Sequence, residues 1–187
     1  MKIFFILLML LSSAVFAKEE IKKFKIEGMS LRDSVLDHFP GRDVVNNITS
    51  RYDHLSDEFH VSEIYHHGCS YLDDCTFEKY DVVSLVIKSK SEEILFPIYG
   101  MSGLIYYEKN IENCYVEKEN IVNELQSIFK DAKIEEPKVL VHPDDPSGQS
   151  HYEETKLYFD WGFARVTCYD MAKHINLDDA LLIDILY

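Results

Sequence analysis

The most regular stretch of the chain lies between residues 110 and 129, where Ile111, Cys114, Tyr115, Ile121, Val122, Leu125, Ile128 and Phe129 recur at three- and four-residue spacing. That period places them on one stripe of an amphipathic helix about five turns long, capped by Asn110 and interrupted where Lys118 stands. A second apolar set, Leu31, Val35, Leu36 and Phe39, follows Ser30, which has Asp33 three residues on. A capping serine with an acid at that offset predicts a helix over residues 30–39, and Pro40-Gly41 ends it. Residues 42–50 read as a further short helix.

The remaining apolar runs are short and rich in β-branched and aromatic residues, which predicts strands at residues 24–27, 82–88, 94–98, 103–108, 139–141, 156–160, 164–169 and 181–186. Between them, polar residues 89–93 read as a hairpin loop, Gly100 to Gly103 and Trp161-Gly162 as turns, and the Pro- and Gly-rich residues 142–148 as a loop. Residues 51–79 read as a polar excursion holding one short helix or strand. Strands gathered around a few amphipathic helices, without regular βαβ alternation, predict an α+β fold with a mostly antiparallel sheet in a single domain, residues 18–187.

The N-terminal residues change the compartment. Lys2, the apolar run Ile3 to Leu11, and Ala14-Val15-Phe16-Ala17 with small residues at the two positions a signal peptidase reads form the pattern of a secretory signal peptide, residues 1–17, cleaved after Ala17. The run is too short to span a bilayer, which needs about 20 residues, and no later stretch reaches that length. The expectation is a periplasmic or secreted protein that is not membrane-spanning.

Composition narrows the partners. With 47% hydrophobic and 13% aromatic residues the chain can build a core. Its net charge of −14, from 19 basic and 33 acidic residues, repels phosphates, so nucleic acid is excluded as a partner and a basic one is favoured.

In an oxidising compartment four cysteines read first as disulfides, with three possible connectivities. Cys114 sits on the helical stripe and Cys168 on a strand face shared with Ala164 and Val166, small enough for a helix to approach, which makes the two natural partners. Cys69 and Cys75 remain, either joined across a turn or held as thiolates on a metal; their spacing is looser than a zinc knuckle.

His54, His60, His66 and His67 lie within fourteen residues, beside Asp53, Asp57, Glu58 and Glu63. Imidazoles with carboxylates suit Zn, Cu or Ni, so these four are the candidate ligands of a transition metal, although no familiar metal signature is completed. Asp144-Asp145 lacks the alternating oxygen ligands of a calcium loop. No nucleophile elbow, phosphate-binding loop or dinucleotide fingerprint occurs, and no catalytic residue is identified. Trp161 and Phe163 are candidate binding residues among the C-terminal tyrosines.

Three motifs carry a resemblance: residues 25–39 (KIEGMSLRDSVLDHF) soon after the leader, Gly103-Leu104-Ile105-Tyr106-Tyr107 followed by Cys114-Tyr115, and Cys168-Tyr169-Asp170. Together they resemble a group of small exported bacterial proteins of unknown function. The resemblance implies an envelope or periplasmic location and supports the Cys114 to Cys168 pairing; it supplies no activity or ligand. The chain departs from that group over residues 64–75, which makes the second cysteine pair peculiar to it. Gly28-Met29-Ser30 is also similar to a helix start in small outer-membrane barrel-assembly lipoproteins and in the β-lactamase inhibitor protein fold, without the lipid-bearing cysteine, and this implies a binding module.

The resulting expectation is a disulfide-bonded, non-catalytic module that binds a protein or small ligand through its sheet face. The alternatives are a transition-metal-binding protein using residues 54–67, and a hydrolase with a dispersed site, which would show a pocket where a histidine meets both an acid and a hydroxyl.

Overall fold

The computed structural model describes residues 20–49, 59–65, 77–88 and 96–187. Among them, every strand pairs antiparallel in one sheet. A short helix α1 (Gly41–Asn46) leads into β1 (Ile48–Thr49), β2 (Phe59–Tyr65), β3 (Val82–Lys88) and β4 (Ile98–Tyr106), which form a meander. Helix α2 (Ile111–Ile128) then carries the chain to the far edge, where β5 (Lys133–Ile134) and β6 (Lys138–Val141) both pair with β7 (His151–Phe159). The return through β8 (Gly162–Asp170) ends with β9 (Ala180–Leu186), which inserts between β8 and β4 and joins the two halves. Among the described residues the sheet is antiparallel, as the absence of regular βαβ alternation predicts, with less helix than an even α+β mixture.

One face of the sheet carries the core. Along β3, Val83, Leu85 and Ile87 are fully buried, and Ile183 and Ile185 of β9 and Val166 of β8 continue the same layer. Over β8 and β9 lies α2, its stripe of Cys114, Ile121 and Leu125 buried against them. Ala164 is also fully buried, and its single methyl leaves room for the helix. Cys114 and Cys168 are joined by a disulfide with their Cα atoms 5.9 Å apart. The N-terminal segment completes the layer through Phe24, Ile26, Met29, Leu31 and Val35. Burying each large side chain of this set contributes on the order of 1.5–3 kcal/mol.

Two expected elements are replaced. The helix over residues 30–39 is one 3-10 turn, Val35–Asp37. Arg32 lies in the left-handed region at φ 70°, and its N–H donates to Ile98 O at 2.8 Å. Ile98 N donates to Asp33 O, and Val35 N to Phe96 O, so these backbone groups pair with the chain entering β4 instead of with a helix ladder. The capping contact survives without its helix, since Ser30 N donates to Asp33 Oδ2 at 2.9 Å. Residues 24–27 likewise form no strand, and Ile26 and Met29 close a tight turn with a single bridge between them.

Gly100 and Gly103, expected to form a turn, lie inside β4 and form none. A Cβ on Gly103 would stand 2.5 Å from the Tyr80 ring, and one on Gly100 would stand 2.4 Å from the Leu186 side chain. Both glycines mark close packing within a strand. Asn110 occupies the N-cap of α2 but makes no side-chain capping bond. The expected leader, residues 1–17, and the hairpin loop at 89–93 lie outside the described residues. Among the described residues no helix is long and apolar enough to cross a membrane.

Candidate functional site

Strand register builds the candidate site on the face opposite α2. Glu63, Ser84, Ser102, Asp184, Arg165 and Lys156 are successive partners across β2, β3, β4, β9, β8 and β7. At about 4.8 Å between strands this polar row is roughly 24 Å long. Two residues along each strand lie apolar rows on either side. One runs Val61, Val86, Gly100, Leu186, Phe163. The other runs Tyr65, Val82, Leu104, Leu182, Thr167. Alternation explains why each side chain faces this way, because the residues between them fill the core.

Across β2, β3, β4, β9 and β8 the rows form a groove of about 390 Å³, with Val82, Val86, Leu104, Leu182 and Leu186 among its apolar lining and Tyr65 and Tyr106 at its rim. Among the described residues no helix or strand lies over it. Asp184 is 7% exposed and its Oδ2 accepts from Arg165 Nε at 2.9 Å and from a second guanidinium nitrogen. Burial alone pulls the Arg165 guanidinium down, and the adjacent Asp184 carboxylate outweighs it, so the net shift of Arg165 is upward. Lys156 is held by Glu154 Oε1 at 2.8 Å. The hydroxyls of Ser84 and Ser102 form no hydrogen bond to other described groups and face the groove between the apolar rows. Thr167, buried in the next row, has an Oγ1 without a hydrogen-bond partner in the described structure. The arrangement supplies two hydroxyls, a compensated ion pair and flanking aliphatic surface: a polar seam that a partner can hydrogen-bond while its apolar groups are covered on both sides.

The predicted site residues fall in different places. Trp161 belongs to the β7–β8 hairpin turn and stacks on Phe159 at 4.7 Å and on Tyr187 at 6.0 Å, with Phe129 of the α2 end at 5.6 Å. Arg32 lies over the outer member of this stack, 3.7 Å from the Tyr187 ring centre. Phe163 lies on the groove side beside Tyr158. The two therefore do not share one binding surface. His60 sits in β2 opposite Ile87 and is half-buried. His54, His66, His67, Cys69 and Cys75 lie outside the described residues, and within those residues no group of three metal-ligating side chains converges.

One histidine does meet an acid and a hydroxyl. His174 Nε2 is 3.5 Å from Asp145 Oδ1 and 3.3 Å from Ser147 Oγ. Both contacts fall on the same ring nitrogen, and Ser147 Oγ donates to Asp145 Oδ1 at 2.6 Å. A serine nucleophile needs its histidine on one ring nitrogen and the orienting acid on the other. Asp145 instead anchors its own loop, accepting also from Ser147 N and Ser150 N. These bonds, led by the Ser147 hydroxyl, hold its carboxyl well below the usual carboxylate range.

Sequence reasoning missed the groove. The available signal was Asp184 in the run Leu181-Leu182-Ile183-Asp184-Ile185-Leu186, where an acid interrupts an apolar strand and needs a partner. No protein-family model, curated protein or solved structure matches the chain.

Proposed function

We propose that the protein is an exported, disulfide-bonded, non-catalytic binding module that takes a protein partner on the open face of its sheet. The observation that carries this reading is the alignment of three side-chain rows in register, apolar, polar and apolar, on a face that no described element covers. A core-forming sheet face would be apolar throughout, and a merely solvated one would alternate to polar groups everywhere. The mixed pattern matches an interface, where apolar contact supplies affinity and a few placed polar groups supply orientation. Export is supported by the leader pattern of residues 1–17, by the even cysteine count and by the resemblance to exported bacterial proteins. The Cys114–Cys168 disulfide suits an oxidising compartment.

Site-specific photocrosslinking tests the reading. A photoreactive phenylalanine analogue at Ser84 or Ser102 is expected to trap a partner in the producing cell, and the same group at exposed Glu119 on α2 is expected to trap none. The double variant Leu104→Arg/Leu182→Arg should lose the adduct. Equal crosslinking from Glu119 and from the groove would overturn the proposal, as would an adduct that survives the double variant.

A further inference from the structure

The outer edge of β6 supplies a second surface, independent of the groove. Val139 is 64% exposed, Leu140 40% and Val141 54%, and among the described residues nothing pairs with the strand on its outer side. Antiparallel neighbours exchange hydrogen bonds at alternate residues. His142 N donates to Ser150 O at 2.8 Å, and Glu135 N donates to Lys156 O at 2.9 Å, so the even-numbered residues of β7 face this edge. In the β6 register Leu140 lies opposite Tyr152 and Lys138 opposite Glu154. Their backbone groups therefore bond to β7, and the N–H and C=O of Val139 and Val141 point outward.

Pro137 and Pro143 stand at the next positions of the same outward parity and carry no N–H. They confine the pairing window to Val139 and Val141. Edge strands are commonly protected by a lysine. Here Lys138 is compensated by Glu135 Oε2 at 3.1 Å. Exposed Glu136 and Asp144 bracket the window instead. On the open face His142, Tyr152 and Tyr169 cluster beside Leu140, with ring centres 5.7 to 6.4 Å apart. Aromatic faces and carboxylates both attract cations.

We infer that the β6 edge accepts an extended peptide segment in which apolar residues alternate with Lys or Arg, added as an antiparallel or parallel strand. Main-chain bonds to Val139 and Val141 hold it, and the acids and tyrosines select its charge. A second copy of this chain is disfavoured as the occupant. Self-pairing centred on Leu140 would set Glu136 against Asp144 of the other copy and join two chains of net charge −14.

The test uses the intact protein and two capped seven-residue probes, one alternating Lys with Val and one alternating Glu with Val. Backbone amide exchange is followed by NMR. The basic probe is expected to slow exchange at Val139 and Val141 at least tenfold, and the acidic probe to leave both unchanged. Val139→Pro should abolish the protection while Leu140 N–H stays protected by β7. If that variant loses the Leu140 protection as well, the surface double variant Glu136→Lys/Asp144→Lys decides, and it is expected to reverse the preference between probes. Protection by neither probe or equally by both overturns the inference. So does protection that rises with protein concentration alone, which would assign the edge to a second copy.

Discussion

Lys118 of α2 places its ammonium 2.5 Å from the Glu153 carboxylate of β7, and the two partners are unequally buried: the lysine side chain is 5% exposed, the glutamate 29%. The lysine that breaks the apolar stripe in the sequence is thus part of the buried stripe, its stem packed and its charge met by the sheet. Removing either member leaves the other unpaired, but only the glutamate can reach water. Glu153→Ala is therefore expected to destabilise by about 3 kcal/mol, whereas Lys118→Met, which keeps the packing, should cost about 1 kcal/mol. Urea denaturation of both variants checks this order, and equal losses would show that the pair is solvated as a surface bridge.

Glu27 ties the N-terminal turn to a segment more than fifty residues away. Its carboxylate accepts from Glu78 N at 2.8 Å, Lys79 N at 2.8 Å and Tyr80 N at 2.9 Å. It does so from a left-handed backbone, φ 48°, which disfavours any residue with a Cβ. Glu27→Ala should lose about 2 kcal/mol through three charge-assisted bonds that are largely solvent-accessible. Glu27→Gly loses the same bonds yet relieves the backbone, so it should be the milder change by about 1 kcal/mol. A glycine variant as unstable as the alanine one would mean that the backbone strain is not released.

The Cys114–Cys168 bridge closes a loop of 54 residues. In the chain-entropy account such a loop stabilises by about 4 kcal/mol. Cys114→Ala/Cys168→Ala should lower the urea midpoint by roughly 2 M for an m-value near 2 kcal/mol/M. Both cysteines are fully buried, so reduction under native conditions should proceed no faster than unfolding. A thiol reagent that reduces the bond well ahead of unfolding, followed by mass spectrometry, would count against this burial.

How much of this was legible follows from which contacts are local. The α2 stripe could be read because it recurs along an eighteen-residue helix and faces one partner layer, and strands such as β3 and β9 could be read from β-branched runs bounded by polar loops. The helix expected after Ser30 failed because its capping signature is local and its competitor is not: Arg32, Asp33 and Val35 bond to residues 96–98, more than sixty positions on. Gly100 and Gly103 signalled a turn when read alone, although the Tyr80 ring and the Leu186 side chain are what require them. The groove was the least legible feature. Arg165 and Asp184 are 19 residues apart, and only the pairing of β8 with β9, in that register, brings them into one row with Ser102 and Ser84.

Two tyrosines on the core side give the fold an alkaline limit. Burial pushes the Tyr107 phenol up to about 12, helped by Glu117 and Asp81. Tyr80 is pushed further, by burial first and then by Glu117, Glu124 and Glu27. An unfolded tyrosine ionises near 10. Between that value and the raised one the native state holds protons that the unfolded state releases, so stability falls as pH rises there; it is complete below about pH 10. Tyrosinate absorbance and far-UV circular dichroism, followed together on raising the pH, should show the last phenols ionising as the fold is lost. Tyr107→Phe should move that alkaline unfolding midpoint upward, because it removes one of the groups that titrates only on unfolding. If every tyrosine instead ionised near pH 10 while the dichroism stayed native, the Tyr80 ring could not pack against Gly103 so closely that a Cβ there would stand 2.5 Å from it.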